Sequence, residues 1–240
     1  MHVDHDGWLQ VDAPADPQVL HVPAHRARMG DTYDTPGGWP LAPVWHTTDM
    51  LAPAEALARR WQSPDRQASA HVIIGRNGVI YQCVPLRRVA FHTRGPGKVA
   101  GQQVAHVNHA AAGIELDNIG GLRRILDGNG NAGFYAWPYY RPDVQGHADE
   151  SLGPDPSVRL PAPRALSVQL VEGRYCDAFS AAQLVAAVAA LRAMRQAFAW
   201  RQEHCGMGHV DYEPARKSDP WPLWRARHQA DVVAQAFAGP

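Results

Sequence analysis

The chain has 240 residues, of which 45% are apolar and 19% are charged, and its formal net charge is zero. A chain of this length and apolar content can bury the core of one large domain, with or without insertions. A nucleic-acid-binding protein usually needs a basic surface, which a balanced charge does not provide. We therefore expect no nucleic acid among its partners.

Cysteine content and hydropathy exclude two further classes. Three scattered cysteines are too few for a disulfide framework, and their odd number leaves at least one thiol free. No segment approaches eighteen consecutive apolar residues, so we expect no membrane span. Residues 1–6 lack a basic stretch followed by an apolar run, so no Sec-type signal peptide is expected. A cytoplasmic location and export or release from the cell both remain open.

The N-terminal part of the chain differs in composition from the rest. Residues 1–42 are rich in Pro, Asp and Gly and predict an arm lying on a domain formed by residues 43–240, with plain disorder as the alternative. Residues 41–48 form an apolar run that predicts a short buried strand ending at His46. Residues 54–61 are good helix formers and predict a helix.

The next segment contains the strongest strand signals. Residues 70–74 and 79–84 are β-branched runs, and the Asn-Gly pair between them favours a hairpin turn because both residues tolerate positive φ. Residues 89–92 predict another short strand. Residues 112–116 predict a central strand of the sheet.

The C-terminal half combines an insertion with two helices. Residues 119–177 are irregular, and we expect an insertion on the domain rather than a second domain. Ser180 and Gln183 have the spacing of a capping box that opens a helix reaching about residue 200. Residues 221–237 are also helix-like. The predicted fold class is α/β or α+β, a single domain with a central mixed β-sheet flanked by helices.

Candidate catalytic residues lie in three separate segments. His46 ends the first predicted strand and Glu115 lies in the predicted central strand, while His209, Lys217 and Asp219 lie in a Pro- and Gly-rich segment near the C-terminus. Two imidazoles and a carboxylate with one open position form a donor set that zinc hydrolases use. The pattern therefore predicts a zinc site with three protein ligands and one open position.

Four short motifs occur along the chain in a fixed order. They are Val44-Trp45-His46-Thr47-Thr48, Ser69-Ala70-His71 followed by Ile74-Gly75-Arg76-Asn77-Gly78, Gly113-Ile114-Glu115-Leu116, and Gly208-His209 followed by Arg216-Lys217-Ser218-Asp219-Pro220. Together they resemble the zinc-dependent N-acetylmuramoyl-L-alanine amidases of the amidase-2 family, which includes phage lysozyme-type amidases, bacterial anhydro-muropeptide amidases and peptidoglycan recognition proteins. The resemblance covers residues 44–224 apart from the insertion. Ala70 stands where phage lysozyme-type and animal members have Tyr, so the chain is most similar to the anhydro-muropeptide branch, and the amidase-2 fold is implied.

The resemblance implies a role for each of the five candidate residues. His46, His209 and Asp219 are expected to hold one zinc ion, with Asp219 in a place where some members have Cys. Glu115 is expected to act as the general base and Lys217 to stabilise the transition state. A carboxylate beneath the metal can move a proton from the attacking water to the leaving amine.

Two further residues are predicted to bind substrate, and simpler interpretations stand beside the catalytic ones. His92 matches a segment that lines the substrate cleft in the family, and Asn108 lies where the family often has an Asn near the cleft. For His71 a structural role is favoured over a ligand role. His46 as a core histidine and Glu115 as a strand carboxylate paired with Lys or Arg are the alternatives.

The function that the resemblance implies is hydrolysis of the amide bond between N-acetylmuramic acid and L-alanine, in peptidoglycan or in soluble muropeptides. One alternative is a non-catalytic module that binds peptidoglycan. Another keeps the chemistry but places it in a secreted lytic toxin or phage endolysin. The sequence does not indicate whether a protein partner such as an immunity protein exists.

Overall fold

The structure is a computed structural model of the chain, and it describes residues 1–25, 30, 32–48, 52–126, 132–136, 168–171, 174–213 and 223–238. The strands are β1 (His2–Val3), β2 (Leu9–Gln10), β3 (Val19–His21), β4 (Ala42–Thr47), β5 (Val72–Ile74), β6 (Ile80–Gln82), β7 (Gly97–Val99), β8 (Gln102–Val104), β9 (Ala111–Leu116), β10 (Gly121–Leu126), β11 (Ala132–Ala136), β12 (Val168–Val171), β13 (Arg174–Asp177) and β14 (Met207–Gly208). The α-helices are α1 (Ala54–Arg60), α2 (Ala181–Phe198) and α3 (Gln229–Phe237).

The centre of the fold is a six-stranded mixed sheet with the order β14-β4-β9-β5-β6-β3. The first four strands run parallel, β6 is antiparallel to β5, and β3 is parallel to β6. Helices cover the sheet, so the predicted class of a central mixed sheet flanked by helices is confirmed. The strands predicted around His46 and Glu115 and the Asn-Gly hairpin are confirmed as β4, β9 and the β5–β6 pair.

Alternation along the strands separates a core face from a face that carries the polar residues. Trp45, Val72 and Ile114 lie in the main core with α2 and α3. The neighbouring residues His46 and Glu115 therefore point to the opposite face. Helix α1 packs on that opposite face, where its apolar residues contact Ile73 and the residues around β6.

Helix α2 begins as the sequence predicts but uses its first turn differently. The Ser180 hydroxyl accepts a hydrogen bond from the Gln183 backbone N–H at 3.1 Å, which is one half of a capping box. The Gln183 side chain is fully buried and donates instead to the carbonyls of Ile74 (2.8 Å) and Asp117 (3.2 Å) at the ends of β5 and β9. The start of α2 is thus attached to the same end of the sheet as the candidate site.

Three segments differ from expectation or extend it. Residues 89–92 do not form a strand, because only Ala90 makes an isolated bridge. The insertion is less irregular than its sequence indicates, since β10, β11, β12 and β13 form an antiparallel sheet of their own. Near the C-terminus a π-helical turn over Trp224–His228 precedes α3.

The N-terminal residues lie against the domain. β1 and β2 form a hairpin, Leu9 is buried in the main core, and β3 is an edge strand of the central sheet. Among the described residues, none of the helices has the length and apolarity that crossing a bilayer requires.

Candidate active site

The register of the central sheet brings two predicted site residues together. In the parallel pair β4–β9, His46 lies directly opposite Glu115. Directly paired residues share a face of the sheet, so both side chains project away from the main core. The His46 side chain is buried, whereas Glu115 is partly exposed. One oxygen of the Glu115 carboxylate, Oε2, is itself buried, so a largely shielded carboxylate lies next to a buried imidazole.

The short strand β14 places His209 beside His46. Gly208 pairs with Trp45, so the residue after Gly208 lies next to the residue after Trp45. The Nδ1 atoms of His46 and His209 are 3.0 Å apart, although the two residues are 163 positions apart in the sequence. The Asp211 carboxylate accepts a hydrogen bond from the Gly208 N–H at 2.8 Å and stabilises the turn that begins at His209.

The other nitrogen of His46 is fixed through His92. His46 Nε2 lies 3.0 Å from His92 Nδ1, and His92 Nε2 lies 3.2 Å from the Ala111 carbonyl oxygen. A carbonyl only accepts, so His92 carries its proton on Nε2 and accepts the His46 Nε2–H at Nδ1. Burial, and then the neighbouring His46 imidazole, hold the pKa of His92 well below its usual range. The His46 Nδ1 lone pair is thereby turned toward His209.

The other nitrogen of His209 is fixed by a carboxylate. His209 Nε2 lies 3.1 Å from Glu213 Oε1, and the same oxygen accepts the Arg94 backbone N–H at 2.7 Å. An ionised carboxylate only accepts, so His209 carries its proton on Nε2 and its Nδ1 bears a lone pair. The Nδ1 lone pairs of His46 and His209 therefore face each other.

Two imidazole nitrogens that both present a lone pair cannot form a hydrogen bond with each other, because neither carries a proton. Both can bind the same cation. Two nitrogen ligands of a tetrahedral zinc ion, each about 2.0–2.1 Å from the metal, lie about 3.3–3.4 Å apart. The observed 3.0 Å is close to that value. Within the part of the chain that the structure describes, no group of three His, Cys, Asp or Glu side chains is arranged as a complete metal site. The third predicted ligand, Asp219, and the predicted catalytic Lys217 lie outside the described residues.

A cleft of about 540 Å³ opens beside His209 and His92. Ligand pockets commonly have volumes of about 300–1,000 Å³, so this cleft has room for part of a substrate. Its lining consists of Gln67, Ala68, Phe91, His92, Thr93, Arg94, Asn108 and His209. Arg94 gives this lining a cationic side chain.

Both predicted substrate-binding residues border this cleft, and both have structural contacts. The Asn108 Oδ1 atom accepts hydrogen bonds from the backbone N–H groups of His92 (3.0 Å) and Thr93 (2.8 Å) and from the Thr93 hydroxyl (2.9 Å). Asn108 therefore stabilises the loop that carries His92. Direct contact of Asn108 or His92 with substrate stays a prediction.

His71 has structural contacts, as the sequence predicts, and Cys205 is a buried thiol. His71 Nδ1 accepts the Gly113 N–H at 2.9 Å, and His71 Nε2 lies 2.8 Å from the Arg88 carbonyl and 2.6 Å from the Tyr33 hydroxyl. Burial lowers the pKa of His71 to about 4, so it is neutral. Cys205 is buried in the main core, where burial raises the pKa of its thiol to about 12.

Sequence reasoning missed three residues that shape the site. Glu213 is four positions after His209, and this spacing within a helical turn is a signal that points to their contact. The sequence contains no signal for the role of Arg94, because its position in the site depends on a hydrogen bond from its backbone N–H to Glu213, 119 positions away. Gly113 lies beneath the His92 ring, and a Cβ there would be 2.6 Å from His92 Cγ.

Comparisons with known proteins identify the family and the fold of this chain. Residues 38–222 match the family described as N-acetylmuramoyl-L-alanine amidase. None of the curated proteins matches the sequence. Among solved structures, a selenomethionine derivative of AmpD is 18% identical, covers 97% of this chain and 99% of its own, and has a TM-score of 0.52.

Two endolysin structures are also similar. The E90A mutant of PlyL is 13% identical, with coverage of 92% of this chain and 99% of its own and a TM-score of 0.51. A mutant endolysin from Bacillus subtilis is 16% identical, with the same coverages and a TM-score of 0.50. At these identities the likeness establishes the shared fold. Because the family match spans most of the sequence and includes His46, Glu115 and His209, the chain belongs to the N-acetylmuramoyl-L-alanine amidase family.

Proposed function

We propose that this chain hydrolyses the amide bond between the lactyl group of N-acetylmuramic acid and L-alanine in peptidoglycan or muropeptides, with one zinc ion held by His46, His209 and Asp219. The observation that carries this proposal is the pair of imidazole Nδ1 atoms 3.0 Å apart beside Glu115. Each imidazole has its other nitrogen in a hydrogen bond, as histidine ligands of zinc usually do.

Glu115 is the proposed general base because it lies opposite His46 in the sheet. Its carboxylate takes a proton from the attacking water as the new C–O bond forms at the amide carbon, and gives that proton to the amine as the C–N bond breaks. The products are the lactyl carboxylate and the free amino group of L-alanine. Bound zinc would polarise the scissile carbonyl and favour deprotonation of the water.

Two other proposed roles concern charge and binding. Lys217 is close in sequence to the ligand Asp219, and its ammonium group would donate to the oxyanion of the tetrahedral intermediate. His92 and Asn108 would hold the cleft wall against which the substrate lies. The roles of Lys217 and Asp219 rest on their place in the family motif.

Product analysis tests this function directly. Zinc-loaded protein is incubated with intact sacculi and, separately, with soluble anhydro-muropeptides, and the products are identified by mass spectrometry. We expect free stem peptides that disappear when a chelator is added. Glu115→Gln should lose about 100-fold or more in rate while zinc stoichiometry stays at that of the parent, whereas His46→Ala should also lose zinc.

A histidine away from the site serves as the matched control. His106 is exposed, and His106→Ala should leave both zinc binding and rate unchanged. Release of peptide from both substrates would indicate a lytic role, and release from soluble fragments alone would indicate a role in cell-wall recycling. If neither substrate is cleaved by protein that holds zinc, the amidase proposal is wrong and a peptidoglycan-binding module takes its place.

A further inference from the structure

Glu213 makes two hydrogen bonds that join separate parts of the candidate site. One oxygen, Oε1, is 3.1 Å from Nε2 of His209 and 2.7 Å from the backbone nitrogen of Arg94. The side chain of Glu213 is 12% exposed and that of His209 is 4% exposed, so both groups are largely shielded from water. A charged group so shielded needs good hydrogen-bond partners, which these two donors supply.

The two donors belong to elements that are far apart in the sequence. His209 begins the turn after β14, and Arg94 follows the loop that carries His92 and lines the cleft. Glu213 therefore connects the wall of the cleft to the residue whose Nδ1 faces His46. Exposed surface ion pairs usually do not hold two segments together in this way, because their side chains remain mobile in water.

The contact also selects one tautomer of His209. A neutral imidazole carries its proton on either nitrogen, and only the form with the proton on Nε2 offers an Nδ1 lone pair to a cation at the point where His46 Nδ1 is directed. The Glu213 carboxylate accepts a hydrogen bond only from the Nε2–H form. On the other side of the site, the tautomer of His46 is selected by its hydrogen bond with the neutral His92.

We propose that Glu213 is a positioning residue that holds His209 in its Nε2–H tautomer and attaches the cleft loop that contains Arg94 to the same histidine. The metal part of this inference rests on the proposed zinc amidase function. Partners of this kind typically change metal affinity or activity by about 10–100-fold when they are removed. The effect of Glu213 on His209 itself does not depend on which cation binds.

Two variants and one control separate the carboxylate from general structural effects. Glu213→Ala removes the acceptor, whereas Glu213→Gln keeps an oxygen that can accept both hydrogen bonds but removes the charge. Glu203→Ala is the control, because Glu203 is an exposed carboxylate paired with Arg201 and lies outside the cleft lining. Circular dichroism and thermal unfolding establish that each variant is folded.

The first measurement is made on zinc-free protein. At pH 8, ¹⁵N–¹H correlation spectra of the side chains report the tautomer of His209. We expect the Nε2–H form in the parent, Glu213→Gln and Glu203→Ala, and a mixture of tautomers in Glu213→Ala. If His209 of the parent carries its proton on Nδ1, or if Glu213→Ala leaves the spectrum unchanged, the proposal is wrong.

The second measurement is zinc affinity by competition with a chromophoric chelator. We expect Glu213→Ala to weaken affinity by about 10–100-fold, Glu213→Gln to weaken it less, and Glu203→Ala to have no effect. Equal affinity of the parent and Glu213→Ala would overturn the metal part of the proposal. A parent that binds no zinc would refute the zinc amidase function, while the tautomer spectra would still decide whether Glu213 positions His209.

Discussion

Replacing Gly113 by Ala should disturb the site through a single methyl group. Gly113 lies in β9 on the face that carries Glu115, and the His92 ring packs directly on it. A Cβ at this position would be 2.6 Å from Cγ and 2.8 Å from Cδ2 of His92, whereas ordinary contacts are about 3.4–4 Å. The ring must therefore move by about 1 Å. Since His92 Nδ1 is 3.0 Å from His46 Nε2, such a shift would stretch or break that hydrogen bond.

A displacement of about 1 Å in a supporting residue can lower the rate of an enzyme by about 100-fold. We expect Gly113→Ala to lower kcat/KM for muropeptide hydrolysis by about that factor and to weaken zinc binding by about 10-fold or more. Steady-state kinetics and chelator competition measure the two effects. Gly206→Ala is the matched control, because a Cβ at Gly206 meets only the Gln229 amide, at an ordinary contact distance of 3.5 Å. If folded Gly113→Ala keeps kcat/KM within twofold of the parent, the His92 ring does not position His46.

Three further predictions concern stability and substrate binding. His71 is buried against the Tyr33 hydroxyl and the His92 ring, and burial lowers its pKa from 6.5 to about 4. The contribution of neutral His71 to stability is therefore fully present above pH 6.5, and about 3 kcal/mol of it is lost as the pH falls to 4. In urea unfolding, the free energy of unfolding should therefore decline more steeply with falling pH in the parent than in His71→Gln. Ala199 ends α2 with a φ of 52°, so Ala199→Gly should raise the free energy of unfolding by about 0.5–1 kcal/mol, and a decrease would contradict this reasoning. Arg94→Ala should raise KM about fivefold for a substrate with a free stem-peptide carboxylate and leave kcat unchanged. Added salt should diminish this difference in KM. The control Arg201→Ala, at an exposed arginine outside the cleft, should leave KM unchanged.

The parts of the fold that the sequence predicted are those with local signals. β4 and β9 are short apolar runs, and the β5–β6 hairpin has an Asn-Gly turn, so neighbouring residues determine these elements. The motifs around His46, Glu115 and His209 predicted the chemistry now proposed for them. The parallel register that sets His46 opposite Glu115 was not predicted, because it depends on the pairing of two strands that are distant in the sequence.

The elements that the sequence did not predict depend on distant contacts. Residues 89–92 are apolar enough for a strand, yet the backbone N–H of His92 is bound by the Asn108 side chain instead of a neighbouring strand. Gln183 has the spacing of a capping box, but its amide donates to carbonyls at the ends of β5 and β9. The strands of the insertion, such as β10 and β11, lack a clear alternation of apolar and polar residues, so their pairing leaves little trace in the sequence.

Hydrogen-bond partners give a physical reason for the different roles that the sequence predicts for four histidines. His71 has a backbone N–H at one nitrogen and a backbone carbonyl at the other, which leaves no lone pair for a ligand. His92 has a carbonyl at one nitrogen and His46 at the other, so it transmits position rather than binding a cation. His46 and His209 each have an acceptor at Nε2 and direct Nδ1 toward the other. Because a neutral relay supports His46 and a carboxylate supports His209, we predict that the two proposed ligands differ electrostatically and that His209, beside Glu213, is the stronger donor to a metal ion.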